Sequence, residues 1–286
     1  MRIQKSWVVL ITGCSSGLGR SLAIEFARRG QIAYATARRL EDIQDLATQG
    51  LFVRELDVTS ESSISGAIKN ILETSGRIDI LINNAGYGLM GPLAEIPLTE
   101  VRRQFETNVI GPLALIQTVF PYMVKQGGGR IVNVGSVAGI LTTPFAGPYS
   151  ASKAALHSIS DAMRIEMAPF GVDVITLQLG KIASKFGDTA ARVLEESFQK
   201  NSFYSPIFQY IEMRAVASQL KATDATKLAH RIVAAVTQDK PPCFIRLGRE
   251  SCKMPLYKWG VPIRLLDNVL GKMFGLRLLQ KRLETK

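Results

Sequence analysis

Three cysteines and two histidines in 286 residues leave little for metal or disulfide chemistry. Cys14, Cys243 and Cys252 are scattered, forming neither a ligand cluster nor a paired framework, so no metal site is expected and a reducing, cytoplasmic setting fits. No apolar run reaches the roughly 18–20 residues that a membrane-spanning helix needs. The first run, Trp7-Val8-Val9-Leu10-Ile11, falls short of the roughly 7–15 residues of a secretory core and reads as a buried strand. Linkers, tandem repeats and low-complexity stretches are also missing, which argues against division into several domains. Acids are the scarcer charge, 24 against 35 Lys and Arg, for a net charge of +11. The excess gathers from Lys253 onward, in eight basic residues against Asp267 and Glu284. An anionic ligand or a membrane surface suits that imbalance. Nucleic acid does not, because neither a stacking-aromatic motif nor a basic recognition helix accompanies the charge. At 47% hydrophobic and 21% charged residues, the composition is that of a globular chain able to bury a sizeable core.

What is present alternates. Strands are predicted at Trp7–Thr12, Ile32–Thr36, Leu51–Glu55, Ile78–Ile82, Arg130–Gly135, Val172–Gln178 and Cys243–Arg246. Their interiors are apolar on successive residues, as strands covered on both faces require. Amphipathic stretches lie between them, at Gly19–Arg29, Ser60–Thr74, Glu100–Val124 and Ser150–Phe170. This rhythm predicts an α/β fold: a single-domain, Rossmann-type, doubly wound parallel sheet with helices on both faces. Residues 181–221 interrupt it with two irregular helices and the aromatics Phe186, Phe198, Phe203, Tyr204, Phe208 and Tyr210. An insertion there lies beyond the carboxyl ends of the strands, where ligands bind in open α/β sheets, and reads as a substrate lid. The plainer reading is a surface subdomain packing its own aromatics.

The first strand runs into Thr12-Gly13-Cys14-Ser15-Ser16-Gly17-Leu18-Gly19. Glycines at a strand-to-helix turn let the backbone approach a pyrophosphate, and the helix that follows offers free N–H groups and a positive dipole end. Further along, Tyr149 and Lys153 stand four apart, one helical turn, and so project from one face. A free tyrosine has a pKa near 10. An ammonium one turn away favours the phenolate and should lower that value. Tyr149 can then give a proton to a carbonyl oxygen, with the Ser136 hydroxyl bonding the same oxygen.

The spacing TGxxxGxG resembles that of the short-chain dehydrogenase/reductase family, and the remaining motifs follow in its order over about residues 6–250. Asp57-Val58 falls at the family's adenine-contacting position, and Asn83-Asn84-Ala85-Gly86 matches its NNAG element. Asn108, Ser136 and the YxxxK pair Tyr149 and Lys153 complete the catalytic set. The resemblance implies a nicotinamide cofactor held by Gly13, Ser15, Ser16, Gly17, Leu18, Gly19, Arg38, Asp57, Val58, Asn84, Ala85, Gly86, Tyr149, Lys153, Ile182 and Ser184. It further implies that Lys153 holds the nicotinamide ribose, that Asn108 positions a water in a proton relay, and that dimers or tetramers form through the helices bearing Asn108 and Tyr149. The second strand ends Thr36-Ala37-Arg38-Arg39, with no carboxylate to hold a ribose 2′-hydroxyl, so NADPH is expected, with Arg38 on its 2′-phosphate. After the sixth strand this chain departs from the family's Pro-Gly, showing Leu179-Gly180-Lys181-Ile182-Ala183-Ser184, and loss of the proline should loosen this loop. His157 and His230 lie outside the motifs and read as packed or solvated.

Residues 1–250 thus form a dinucleotide-binding catalytic domain, and 251–286 a basic amphipathic tail packing on it. From Ile263 to Phe274 the residues Ile263, Leu265, Leu266, Val269, Leu270, Met273 and Phe274 share one helical face. Such a face covers a pocket or lies in a membrane interface. Lys272-Met273-Phe274-Gly275-Leu276 is similar to the family branch of 1-acyldihydroxyacetone-phosphate reductases, 17-beta-hydroxysteroid dehydrogenases and retinol dehydrogenases. That resemblance implies reduction of a lipophilic ketone or aldehyde. The alternatives are an NAD-dependent alcohol dehydrogenase and a non-catalytic NADPH-binding protein docked on membranes by its tail.

Overall fold

The computed structural model describes residues 6–199 and 201–285. Lys286, counted above with the basic tail, lies outside them. Each predicted strand forms, as β1 (Val8–Ile11), β2 (Ile32–Ala37), β3 (Phe52–Glu55), β4 (Ile80–Asn83), β5 (Gly129–Ser136), β6 (Val172–Leu179) and β7 (Phe244–Leu247). They pair in parallel as one sheet in the order β3-β2-β1-β4-β5-β6-β7. All four residues of β1 and of β4 are buried, the physical result of two-sided cover.

The connections are helical: α1 (Gly17–Arg28), α2 (Gln44–Ala47), α3 (Glu61–Ser75), α4 (Leu98–Phe105), α5 (Gly111–Lys125), α6 (Gly147–Glu166), α7 (Phe186–Ser197), α8 (Phe208–Val216) and α9 (Ala225–Val236). One face of the sheet packs Val9, Ile11 and Ile82 against Leu22 and Phe26 of α1 and Leu228 and Ile232 of α9. The other packs Leu10, Leu81 and Ile131 against Ile68 of α3, Leu115 and Val119 of α5, and Met163 of α6. Strand order reverses on either side of β1, which opens a crevice at the carboxyl ends of β1 and β4.

The predicted helix Glu100–Val124 is continuous from Leu98 to Lys125 but takes a wider π turn at Glu106–Ile110, around Asn108. These 28 residues are long and apolar enough to cross a membrane. Their apolar face is instead spent on the sheet, with Leu115, Ile116, Val119 and Met123 fully buried.

A third core sits above the crevice. Met90, Phe145, Ala190, Leu194, Ile207 and Ile211 pack there with Leu279 from the tail, which folds as α10 (Lys253–Gly260), α11 (Ile263–Met273) and α12 (Leu276–Glu284). Its rings interlock, Phe198 on Phe208 at 4.5 Å and Phe145 on Phe274 at 6.3 Å. Insertion and tail are therefore packed together, and both also face the cleft below.

Candidate active site

The carboxyl ends of the central strands open into a cleft of about 1570 Å³. Its floor at β1 is the glycine turn. Gly13 and Gly17 have φ of 72° and 59°, in the left-handed region that favours glycine. A methyl group on Gly13 would come within 2.8 Å of Ala85 Cα, and one on Gly17 within 2.7 Å of Ser184 Cβ. Asn84 clamps the turn, its Nδ2 donating to the carbonyls of Thr12 (2.9 Å) and Gly13 (3.0 Å). The Ser16 side chain does not cap α1, and the first turn carries no acid, so the helix N-terminus is open to an anion. Cys14 is fully buried and its thiol pushed up to about 12 by that burial, which makes it packing rather than chemistry.

Gly13, Ser15, Ser16, Gly17 and Leu18 line the cleft together with Arg38, Asp57, Val58, Asn84, Ala85 and Gly86. Gly19 does not. It is buried where α1 crosses Asn84 and the Gly13 carbonyl, which a side chain there would overlap, so it allows close packing rather than contact with a cofactor. The two arginines after β2 differ. Arg39 is tied to Asp42 at 2.7 Å, whereas Arg38 has no acidic partner among the described residues. These features fit a dinucleotide: a phosphate-sized hollow over glycines that a Cβ would fill, and a free guanidinium beyond it.

Ser136 ends β5, and Tyr149 and Lys153 lie on α6; all three line the cleft. Lys153 Nζ donates to the Val134 carbonyl at 2.8 Å and stands 6.0 Å from the Tyr149 ring centre. Burial lowers its pKa from 10.5 to about 8. The phenol behaves otherwise than expected from Lys153. Burial raises the Tyr149 pKa above its ordinary 10, with the Ser136 side chain and the Arg214 charge pulling the other way. A buried phenol holds its proton at neutral pH, which suits a donor.

Asn108 is not part of the cleft wall. It is completely buried; its amide donates to the Tyr87 carbonyl (3.0 Å) and the Ser152 hydroxyl (3.1 Å) and accepts from Tyr87 N–H (3.2 Å). With those bonds made, the side chain holds the Gly86-Tyr87 segment from behind.

Ile182 and Ser184 do line the cleft, but their loop is not loose. Lys181 bridges to Arg249 and Ile182 to Thr223, and Lys181 pairs with Glu250 at 3.2 Å. Backbone pairing on both sides replaces the rigidity a proline would have given.

Sequence reasoning gave His157 and Arg214 no role at the site. His157 faces Ser136: its Nε2 accepts from the Ser136 N–H at 3.3 Å, and burial lowers its pKa to about 4, so the ring is neutral. His230 by contrast meets Glu25 at 3.0 Å on the outer side of α1. Phe186 of α7 lies 5.2 Å from the Tyr149 ring, and Arg214 of α8 reaches the cleft beside Thr143, bonding its hydroxyl at 2.8 Å. Leu266, Val269, Leu270, Met273 and Phe274 close the far side from the tail. Phe186 and the apolar face of residues 263–274 were marked in the sequence; no local motif marks His157 or Arg214, whose partners lie far away along the chain.

A nicotinamide-binding oxidoreductase fold is what this sheet, turn and Ser-Tyr-Lys arrangement define. The family model described as short chain dehydrogenase matches residues 7–193, and the chain belongs to that family. It is similar to a short-chain dehydrogenase of Aspergillus ruber, 32% identical over 97% of this chain and 96% of that one. A 3-ketodihydrosphingosine reductase of Bacteroides thetaiotaomicron is 33% identical over 84% and 87%. Among solved structures, a short-chain dehydrogenase from Streptomyces avermitilis superposes with a TM-score of 0.77 at 28% identity, covering 98% of both chains. One from Burkholderia phymatum in complex with NAD does so with a TM-score of 0.74 at 26% identity, over 85% of this chain and 90% of that one.

Proposed function

We propose that this oxidoreductase is an NADPH-dependent reductase of a lipophilic ketone or aldehyde, of the retinoid, steroid or acyl-ketone kind. The observation that carries the reading is the meeting of Ser136, Tyr149 and Lys153 at the carboxyl end of β5, under a roof of apolar side chains. Gly13, Ser15, Ser16 and Gly17 would hold the pyrophosphate, Arg38 the 2′-phosphate, and Lys153 the nicotinamide ribose; when bound, the reduced nicotinamide supplies hydride. The protein's share is proton delivery. Ser136 and Tyr149 hold the substrate oxygen, and the Tyr149 hydroxyl gives it the proton that turns a developing alkoxide into an alcohol. Lys153, beside the phenol, stabilises the negative charge left there. Phe186 and the tail residues exclude water from the reacting carbonyl, and burying hydrocarbon contributes about 25 cal/mol per Å². A relative named as a 3-ketodihydrosphingosine reductase supports ketone reduction as the reaction.

Tyr149→Phe keeps NADPH binding and lowers kcat by at least about 10²-fold, the usual contribution of a general acid. Full turnover in that variant would overturn the reading. Arg38→Ala raises the KM for NADPH by about tenfold or more while leaving that for NADH near its starting value, since a charge-assisted bond contributes about 1.5–3 kcal/mol. Steady-state kinetics with both cofactors checks it; an unchanged preference removes the phosphate clamp.

We further propose that the tail rests on a membrane surface. Leu256, Trp259, Ile263 and Leu265 are exposed there, interspersed with Lys258 and Arg264, a mixture of apolar and basic side chains suited to a lipid interface.

A further inference from the structure

α8 carries a guanidinium into the cleft where no acid meets it. Lys181 and Arg192, which also line the cleft, are paired with Glu250 and Glu196, each at 3.2 Å. Arg214 has only the Thr143 hydroxyl, at 2.8 Å, and no carboxylate partner among the described residues. Four of its five N–H groups are left for something else. Four residues on, Ser218 also lines the cleft, and its buried hydroxyl has no hydrogen-bond partner. Apolar side chains line the same cleft, among them Met90, Leu141, Val193, Met273 and Phe274. A charge withdrawn from water without a counter-charge is costly, and a buried hydroxyl without a partner adds to that cost. Both are resolved when a ligand brings the missing anion.

We infer that the substrate of this site is an anionic amphiphile: a hydrocarbon-bearing carbonyl compound with a carboxylate or phosphate, its oxygens taken by Arg214 and Ser218. The inference rests on the reductase reading above and narrows it. Arg214 and Tyr149 line the same cleft, so one ligand can meet both. A planar guanidinium suits either anion, since both accept paired, parallel hydrogen bonds. The same charge disfavours an amphiphile with an ammonium headgroup.

The test compares a long-chain 4-oxo acid, its methyl ester, and the same ketone ending in a phosphate monoester, with NADPH as reductant. The wild-type chain turns over an anionic form with kcat/KM at least about tenfold above the ester, and the better of acid and phosphate identifies the anion. In Arg214→Met the ratio of anion to ester falls towards one, mainly through KM; Arg214→Lys, which keeps the charge but loses the fork, retains part of it. A wild-type ratio at or below one, or a ratio unchanged in Arg214→Met, overturns the inference while leaving the reductase reading intact. Should none of the three be reduced, it is the reductase reading that fails. Calorimetric binding to the NADPH-loaded protein then decides the anion site: tighter binding of acid or phosphate than ester, lost in Arg214→Met, supports it, and equal binding overturns it.

Discussion

His157 is a base held neutral against a backbone N–H, and its pH behaviour follows from that. Its folded pKa lies at about 4, well below the ordinary 6.5, first because it is buried and second because Lys153 is near. On acidification an unfolded chain takes up this proton below about 6.5, whereas the folded chain does so only near 4. The contribution to stability is thus full above 6.5 and lost as pH falls towards 4. The melting temperature should drop over that interval, and His157→Gln should flatten the drop; parallel wild-type and variant curves would refute this. The glycines, Tyr149 and Lys153 were legible because their spacing is itself the chemistry: a turn that must avoid Cβ, and two side chains one helical turn apart. His157 and Arg214 were not, because the partners that give them meaning, Ser136 and Thr143, lie 21 and 71 residues away.

At the scale of elements, the seven strands were legible as apolar runs, and their parallel pairing followed from alternation with helices. The helix carrying Asn108 was legible as a helix, but not its π turn, since Glu106–Ile110 contains no proline or glycine to announce one. The Leu179–Ser184 loop misled for a related reason: a missing proline is visible in the sequence, but pairing with Arg249 and Thr223 is a tertiary property. The crossing of α1 over the β1 turn depends on Gly19, where an added methyl would overlap Asn84 Nδ2 and the Gly13 carbonyl. Backbone cannot yield as a flexible side chain does. Gly19→Ala should destabilise by about 1–3 kcal/mol, measured by chemical denaturation, and should weaken cofactor binding because the glycine turn moves with it. A variant as stable as the parent would show that the crossing has room.

For the whole molecule, the amphipathic reading of 263–274 was right about the helix, yet its apolar face is divided. Leu266 is buried, while Ile263, Leu265, Val269 and Met273 stay largely exposed. The proposed surface contact predicts that the chain sediments with vesicles containing anionic phospholipid and is released as salt screens the basic residues. Trp259→Asp with Ile263→Asp should abolish sedimentation without unfolding the protein, since both side chains are exposed at 84% and 62%. Equal sedimentation of the double variant would dispose of the contact.

The division of labour in the cleft has an evolutionary consequence. In the proposed reading, what grips the nucleotide comes from the turns after β1, β2 and β4, whereas what encloses the substrate comes from α7, α8 and α11, all of which line the cleft. Mutation can redraw the second set without disturbing the first. A descendant of this chain could therefore exchange one substrate for another through changes confined to two late stretches of its gene, keeping its nicotinamide cofactor throughout.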